Sequence, residues 1–123
     1  MKPNSFCTMC TYSCHQELIG FLLSLSLHHP NANVYCMVDT KTKKVIDELT
    51  PRPKLNIKWY VELDKYTDLN RTKMEEMNII KEFWNNKANI ISYALDYEKD
   101  TLFLDSDIFI LDEINDIDDT KKL

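Results

Sequence analysis

Short apolar runs alternate along this chain with longer stretches of helical periodicity. Residues 5–11 (SFCTMCT) form a mostly apolar, β-prone run that predicts a strand. Ser13-Cys14-His15-Gln16 then fits the S-x-x-Q capping box, in which two side chains satisfy free backbone donors at a helix start. Leu18, Ile19, Leu22, Leu23, Leu25 and Leu27 make the following helix apolar over most of its circumference, which predicts burial, and Pro30 ends it. Residues 34–38 (VYCMV) predict a second strand. Asp39 or Thr40 can cap a weaker helix carrying Val45, Ile46 and Leu49, stopped by Pro51 and Pro53. Residues 57–61 (IKWYV) predict a third strand, followed by a polar loop over residues 64–71. Met74, Met77, Ile80 or Lys81, and Trp84 recur at helical spacing. Asn85-Asn86 predicts a break, and Ile90, Ile91, Ala94 and Leu95 predict another helix. Residues 101–104 predict a fourth strand running into Asp105-Ser106-Asp107, with an extended apolar run over residues 108–111.

Strands that are apolar throughout, rather than alternating, suggest burial on both faces. Strands alternating with helices give βαβ units. The expected fold class is therefore α/β, a mostly parallel sheet with flanking helices, in one domain spanning residues 1–123. In open sheets of this kind ligands bind at the carboxyl ends of the strands. That rule selects Thr11-Tyr12, Asp39 and Asp105–Asp107.

Composition narrows the chemistry. The 123 residues include one glycine, Gly20. The Walker A loop, the dinucleotide G-x-G-x-x-G turn and the G-x-S-x-G nucleophile elbow each need at least two, so all three are excluded. The net charge of -5 argues against nucleic acid as a partner, since a basic footprint is expected there. It is also uneven. Residues 1–60 hold seven basic and four acidic side chains, whereas residues 61–123 hold eight and sixteen. No apolar stretch is long enough for an integral membrane segment, because residues 18–27 are interrupted by Gly20, Ser24 and Ser26. The N-terminal residues lack the apolar core of a signal peptide. A cytoplasmic location is expected, with Cys7, Cys10, Cys14 and Cys36 as reduced thiols. The C-x2-C-x3-C-H spacing of Cys7, Cys10, Cys14 and His15 fits neither paired zinc ligands nor a ferredoxin pattern, so these cysteines read better as small buried hydrophobes.

The most informative stretch is Thr101-Leu102-Phe103-Leu104-Asp105-Ser106-Asp107, a buried strand that runs straight into two carboxylates. Such a pair needs a cation or hydrogen-bond donors to offset its mutual repulsion. Oxygen ligands select hard cations, and Mg2+ or Mn2+ commonly completes its shell with water and substrate phosphates. In the plainer alternative the two acids cap neighbouring backbone in a surface turn.

Tyr93-Ala94-Leu95 and the run from Thr101 to Ile108 resemble the D-x-D region of GT-A glycosyltransferases, especially the glycogenin and lipopolysaccharide-galactosyltransferase group. The first strand through Tyr12, with the helix ending Ser24-Leu25-Ser26-Leu27-His28-His29-Pro30, is similar to that family's opening. The resemblance implies a metal-dependent transfer of sugar from a nucleotide-diphospho-sugar, with a UDP-sugar as donor. It implies that Asp105 and Asp107 hold Mn2+ or Mg2+ against the diphosphate, with Asp105 and Ser106 near the donor. Thr11 and Tyr12 would hold base and ribose, Tyr12 stacking on uracil, and Lys87, upstream of the acidic pair, would approach the phosphates. Asp39 would accept from the base. Each has a structural alternative: Tyr12 packing beside the helix start, Lys87 as solvated helix-terminus charge, and Asp39 as a helix N-cap.

Family members continue well past D-x-D into an acceptor-binding half that supplies a further metal ligand, often a histidine. Here only the short stretch from Ile108 to Leu123 follows the pair, and His15, His28 and His29 all precede it. The expectation is therefore a donor-binding part with the acceptor, the third metal ligand and the catalytic groups unassigned, and with self-association or a second chain as partner. Two other functions compete. One is a noncatalytic nucleotide-sugar-binding subunit whose open sheet edge pairs with another chain. The other is a haloacid-dehalogenase-type phosphatase, whose D-x-D-x-[TV] pattern meets Phe109 at its fifth position here.

Overall fold

The computed structural model describes residues 3–114. Its core is a four-stranded, all-parallel sheet in the order β3-β2-β1-β4. The strands are β1 (Ser5–Cys10), β2 (Ala32–Val38), β3 (Leu55–Val61) and β4 (Leu102–Phe103). The helices are α1 (His15–His28), α2 (Thr40–Asp47), α3 (Arg71–Glu76) and α4 (Ile80–Leu95). The expected α/β class is what the structure shows.

β1 and β2 are central, and side chains of both parities are buried. Phe6, Val34, Cys36 and Val38 pack under Leu18, Leu22 and Leu25 of α1 and Ile46 of α2. Cys7, Tyr35 and Met37 face the opposite way, against Met74 of α3 and Ile90 and Ala94 of α4. Each fully buried Leu, Ile or Phe contributes about 1.5–3 kcal/mol by leaving water. β3 departs from the expectation of strands buried on both faces. It is an edge strand, half-buried at Leu55, Ile57 and Trp59 and exposed at Asn56 and Lys58.

The strand order places the ligand site. From β1 through β3 the chain steps one way across the sheet, with α1 and α2 covering one face. It then returns past β2 and β1 to β4, with α3 and α4 on the other face. Right-handed crossovers require this change of face when the direction reverses. The reversal leaves a crevice at the carboxyl ends of β1 and β4, where open α/β sheets bind ligands.

Local details differ from the sequence reading at three places. Residues 12–14 form a 3-10 turn, not the start of a capped helix. The Cys14 amide donates to Thr11 O at 3.0 Å, and Ser13 Oγ lies 3.1 Å from Thr11 Oγ1 instead of capping α1. α1 begins at His15 with no side-chain cap. The helix break lies at residues 77–79 and not at Asn85-Asn86. Asn78 takes the left-handed conformation (φ 60°), with Ile79 N donating to Met74 O at 2.9 Å and Asn78 N to Glu75 O at 3.1 Å. That pair of bonds is a Schellman helix end with Asn in place of glycine. Asn85 and Asn86 lie inside α4, where the packing of Ile90 and Ala94 overrides their weak helix propensity. Finally, residues 108–111 form no strand. Ile108 N donates to Asp105 O in a turn, and Ile110 N donates to Ser24 Oγ of α1 at 2.9 Å. Residues 1–2 and 115–123 lie outside the described residues. Among the described residues no helix is long and apolar enough to cross a membrane.

Candidate functional site

A cleft of about 640 Å3 opens at the carboxyl ends of β1 and β4, beneath α3 and α4. Small-molecule pockets run from roughly 300 to 1,000 Å3, so it can take a ligand the size of a nucleotide sugar. Of the residues singled out from sequence, Thr11, Lys87, Asp105, Ser106 and Asp107 line this one cleft. They come from distant parts of the chain, so only folding brings them together.

β4 positions the acidic pair. Phe6 and Cys7 of β1 align with Leu102 and Phe103, and Leu104 N donates to Cys7 O at 3.0 Å. Pairing stops there, and the chain turns over Asp105–Ile108. Both carboxylates are exposed at the cleft and Ser106 is half-buried. Among the described residues no group of three or more His, Cys, Asp and Glu side chains forms a metal cage. Asp105 and Asp107 could each supply a carboxylate oxygen, a hard ligand, at this cleft. Of the hard cations, Mg2+ and Mn2+ are the ones that take one or two carboxylates and bind phosphate and water at their other positions.

Two cations line the same cleft. Lys87, inside α4 and exposed, holds its Nζ 4.6 Å from the centre of the Phe103 ring. Arg71, at the start of α3, was not singled out from sequence. Its guanidinium carbon lies 5.4 Å from the centre of the Trp84 ring, and its Nε donates to Glu75 Oε1 at 2.7 Å. Trp84 is 49% exposed and also lines the cleft. Arg71 sits in a polar stretch and Trp84 reads as one more apolar position of a helix. Their pairing reaches across the break between α3 and α4, which no local pattern signals.

Tyr12 and Asp39 are placed elsewhere. The Tyr12 ring stacks on His15, with centres 4.3 Å apart and planes 5° apart, and Lys41 Nζ stands 4.7 Å from its centre. His15 is held by an Nδ1 donation to Tyr12 O at 2.7 Å, which places the proton on Nδ1. Asp39 is fully buried at the end of β2. Its Oδ1 accepts from Thr42 N at 3.2 Å, capping α2, and its Oδ2 accepts from Tyr12 N at 3.1 Å. The carboxylate ties the β1–α1 turn to the β2–α2 turn.

Cys10 and Cys14 also line the cleft, with Cys10 donating its thiol to Thr11 O at 3.0 Å and Cys14 Sγ 3.8 Å from Ser13 Oγ. Cys10 is buried, and both the Cys14 thiol and burial hold its proton on. The exposed Cys14 is lowered to about 6, chiefly by its interaction with Cys10 and then by Ser13. Partial burial and the charges of Glu17 and Asp107 oppose that shift without cancelling it.

Comparison with protein families, curated proteins and solved structures found no match.

Proposed function

We propose that this chain binds a nucleotide-diphospho-sugar through a divalent cation held by Asp105 and Asp107, as the donor site of a GT-A-type glycosyltransferase, with a UDP-sugar as donor. One observation carries the reading. The acidic pair stands at the crevice where the strand order reverses, and the same cleft holds Lys87 and Arg71. Two anions that can hold a cation, in one cleft with two cations that can meet phosphate, suit a diphosphate better than a neutral ligand. When bound, the cation supplies a Lewis acid that offsets the charge growing on a departing nucleoside diphosphate. The chain's own contribution is to orient. Thr11 offers a hydroxyl at the end of β1, Lys87 and Arg71 attract phosphate, and the exposed Trp84 ring offers a flat apolar surface.

Calorimetric titration with UDP-sugars in the presence and absence of Mn2+ tests this. Binding is expected with Mn2+, weakened tenfold or more by Asp105→Asn or Asp107→Asn, which corresponds to about 1.4 kcal/mol. No binding under either condition would overturn the reading. Binding without release of nucleoside diphosphate would favour the second reading, a noncatalytic nucleotide-sugar-binding subunit. That reading draws on β3 and β4, the sheet's edges among the described residues, whose outer backbone groups can take a strand from another chain.

A further inference from the structure

β3 is paired on one side only. Every residue from Leu55 to Val61 aligns with β2, and among the described residues no strand lies beyond it. Lys54 O accepts from Asn31 N at 2.7 Å, and Glu62 N donates to Val38 O at 3.1 Å, so the even-numbered positions turn their backbone groups towards β2. Backbone direction alternates along a strand, and Ile57 and Trp59 therefore turn their N–H and C=O groups outward. The side chains of the same positions pack on the α2 face. There, beside the open edge, lies a cavity of about 150 Å3 walled by Ile46, Leu55, Ile57 and Trp59. An apolar cavity of roughly that size holds a benzene-sized group, so it has room for one branched or aromatic side chain. Asp47 also lines it, but its carboxylate is held by Lys43 at 2.6 Å and Arg52 at 3.8 Å. From residue 52 to residue 61 the chain carries Arg52, Lys54 and Lys58, all exposed, and no acid. Lys58 lies on the strand face opposite the cavity, its Nζ 3.4 Å from the centre of the Tyr97 ring. None of the cavity's residues lines the cleft of the acidic pair.

We propose that the outer edge of β3 docks an extended segment of a partner protein in which apolar and acidic residues alternate. The segment adds to the sheet as a further strand. The outward backbone groups of Ile57 and Trp59 give it main-chain hydrogen bonds, which hold any sequence. Selectivity comes from its side chains, which fall on alternate faces of the sheet. On the α2 face an apolar side chain fills the cavity beside Trp59. On the other face an acid meets Lys58, as opposite charges on facing strands attract. A second copy of β3 is the poorer occupant. Its positions on that face, Asn56, Lys58 and Tyr60, hold no acid, and antiparallel pairing about Lys58 sets two lysines against each other. Lysine on this edge thus deters self-pairing while it attracts an acidic strand. Neither a nucleotide sugar nor a metal takes part, so the inference stands or falls apart from the proposed function.

The test is an NMR titration of the whole, isotope-labelled chain with the capped peptide Thr-Val-Glu-Val-Glu-Val-Glu-Thr in chelator-containing buffer. The expected result is a shift of the Ile57, Lys58 and Trp59 amide signals, with slower hydrogen exchange at Ile57 and Trp59. A peptide with lysine in place of each glutamate should bind at least tenfold more weakly, and so should one with glycine in place of each valine. Lys58→Glu should reverse the first preference, weakening the glutamate peptide tenfold or more and strengthening the lysine peptide. If Lys58→Glu fails to fold, the peptide series on the unsubstituted chain still decides the matter. Absence of shifts in β3 at millimolar peptide, or equal affinity for the glutamate and lysine peptides, would overturn the proposal. So would β3 signals that move with protein concentration instead of peptide, which would make a second copy the occupant. Slow exchange of the Ile57 and Trp59 amides in the peptide-free monomer would also overturn it, because the edge would then be covered by the chain itself.

Discussion

Asp39 shows how one side chain serves two turns. The residue type is legible from sequence as a helix cap, and α2 confirms that part. The second bond, to Tyr12 N 27 positions earlier, depends on β1 and β2 being neighbours. Losing an N-cap costs about 0.5–2 kcal/mol, and the part-buried Tyr12 amide loses a hydrogen bond to a carboxylate worth about 1.5–3 kcal/mol. Asp39→Ala is therefore expected to lower stability by about 2–4 kcal/mol in urea unfolding, with Asp39→Asn recovering part of it. An unchanged urea midpoint would show that neither bond matters. The four cysteines teach a similar lesson. Their apolar setting correctly suggests burial for Cys7, Cys10 and Cys36, yet Cys14 is exposed because the chain turns sharply at Thr11.

At the scale of elements, scarcity of glycine had to be met by other residues. Asn78 occupies the left-handed position that ends α3, and Asn31 (φ 67°) does so before β2. Asparagine tolerates that conformation better than other non-glycine residues. Gly20 itself lies in the body of α1, where nothing requires its freedom. A Cβ added there would meet the Phe109 ring at 3.6 Å, an ordinary contact. Gly20→Ala should therefore stabilise the protein by about 0.4–1 kcal/mol, read as a raised melting temperature or urea midpoint. A decrease would show that the segment after the acidic pair needs a closer approach to α1. The misplaced break near Asn85-Asn86 has a clear cause. Propensity there opposes helix, but burial of Ile90 and Ala94 is worth more than the few tenths of a kcal/mol that asparagine costs.

At the scale of the whole molecule, burying thiols on both faces of the sheet makes stability sensitive to alkali. Burial raises Cys7 from its ordinary 9.0 to about 11, and burial also pushes Cys36 up. A raised value means that the folded state keeps a proton which the unfolded chain releases. The stabilisation is complete below pH 9 and is lost as pH rises towards 11, at roughly 1.4 kcal/mol per pH unit for each such thiol. Urea midpoints are expected to fall steadily as pH rises from 9 towards 11, and Cys7→Ala should flatten that slope while lowering stability at neutral pH. A midpoint unchanged across this range would contradict the account.

The sequence by itself determined the class of the fold, the approximate position of all four strands, and the acidic pair at the end of the last one. Those features rest on local periodicity and on residue type, which a chain carries wherever it goes. Tertiary structure decided which strands are central, that Asp39 joins the turn at Tyr12 to the start of α2, and that Arg71 and Trp84 line the same cleft as Lys87 and the acids. These depend on strand order, and strand order is set by which faces bury together. A reversal of direction across the sheet brings Thr11 and Asp105 to one cleft, and no pattern within either segment encodes that meeting.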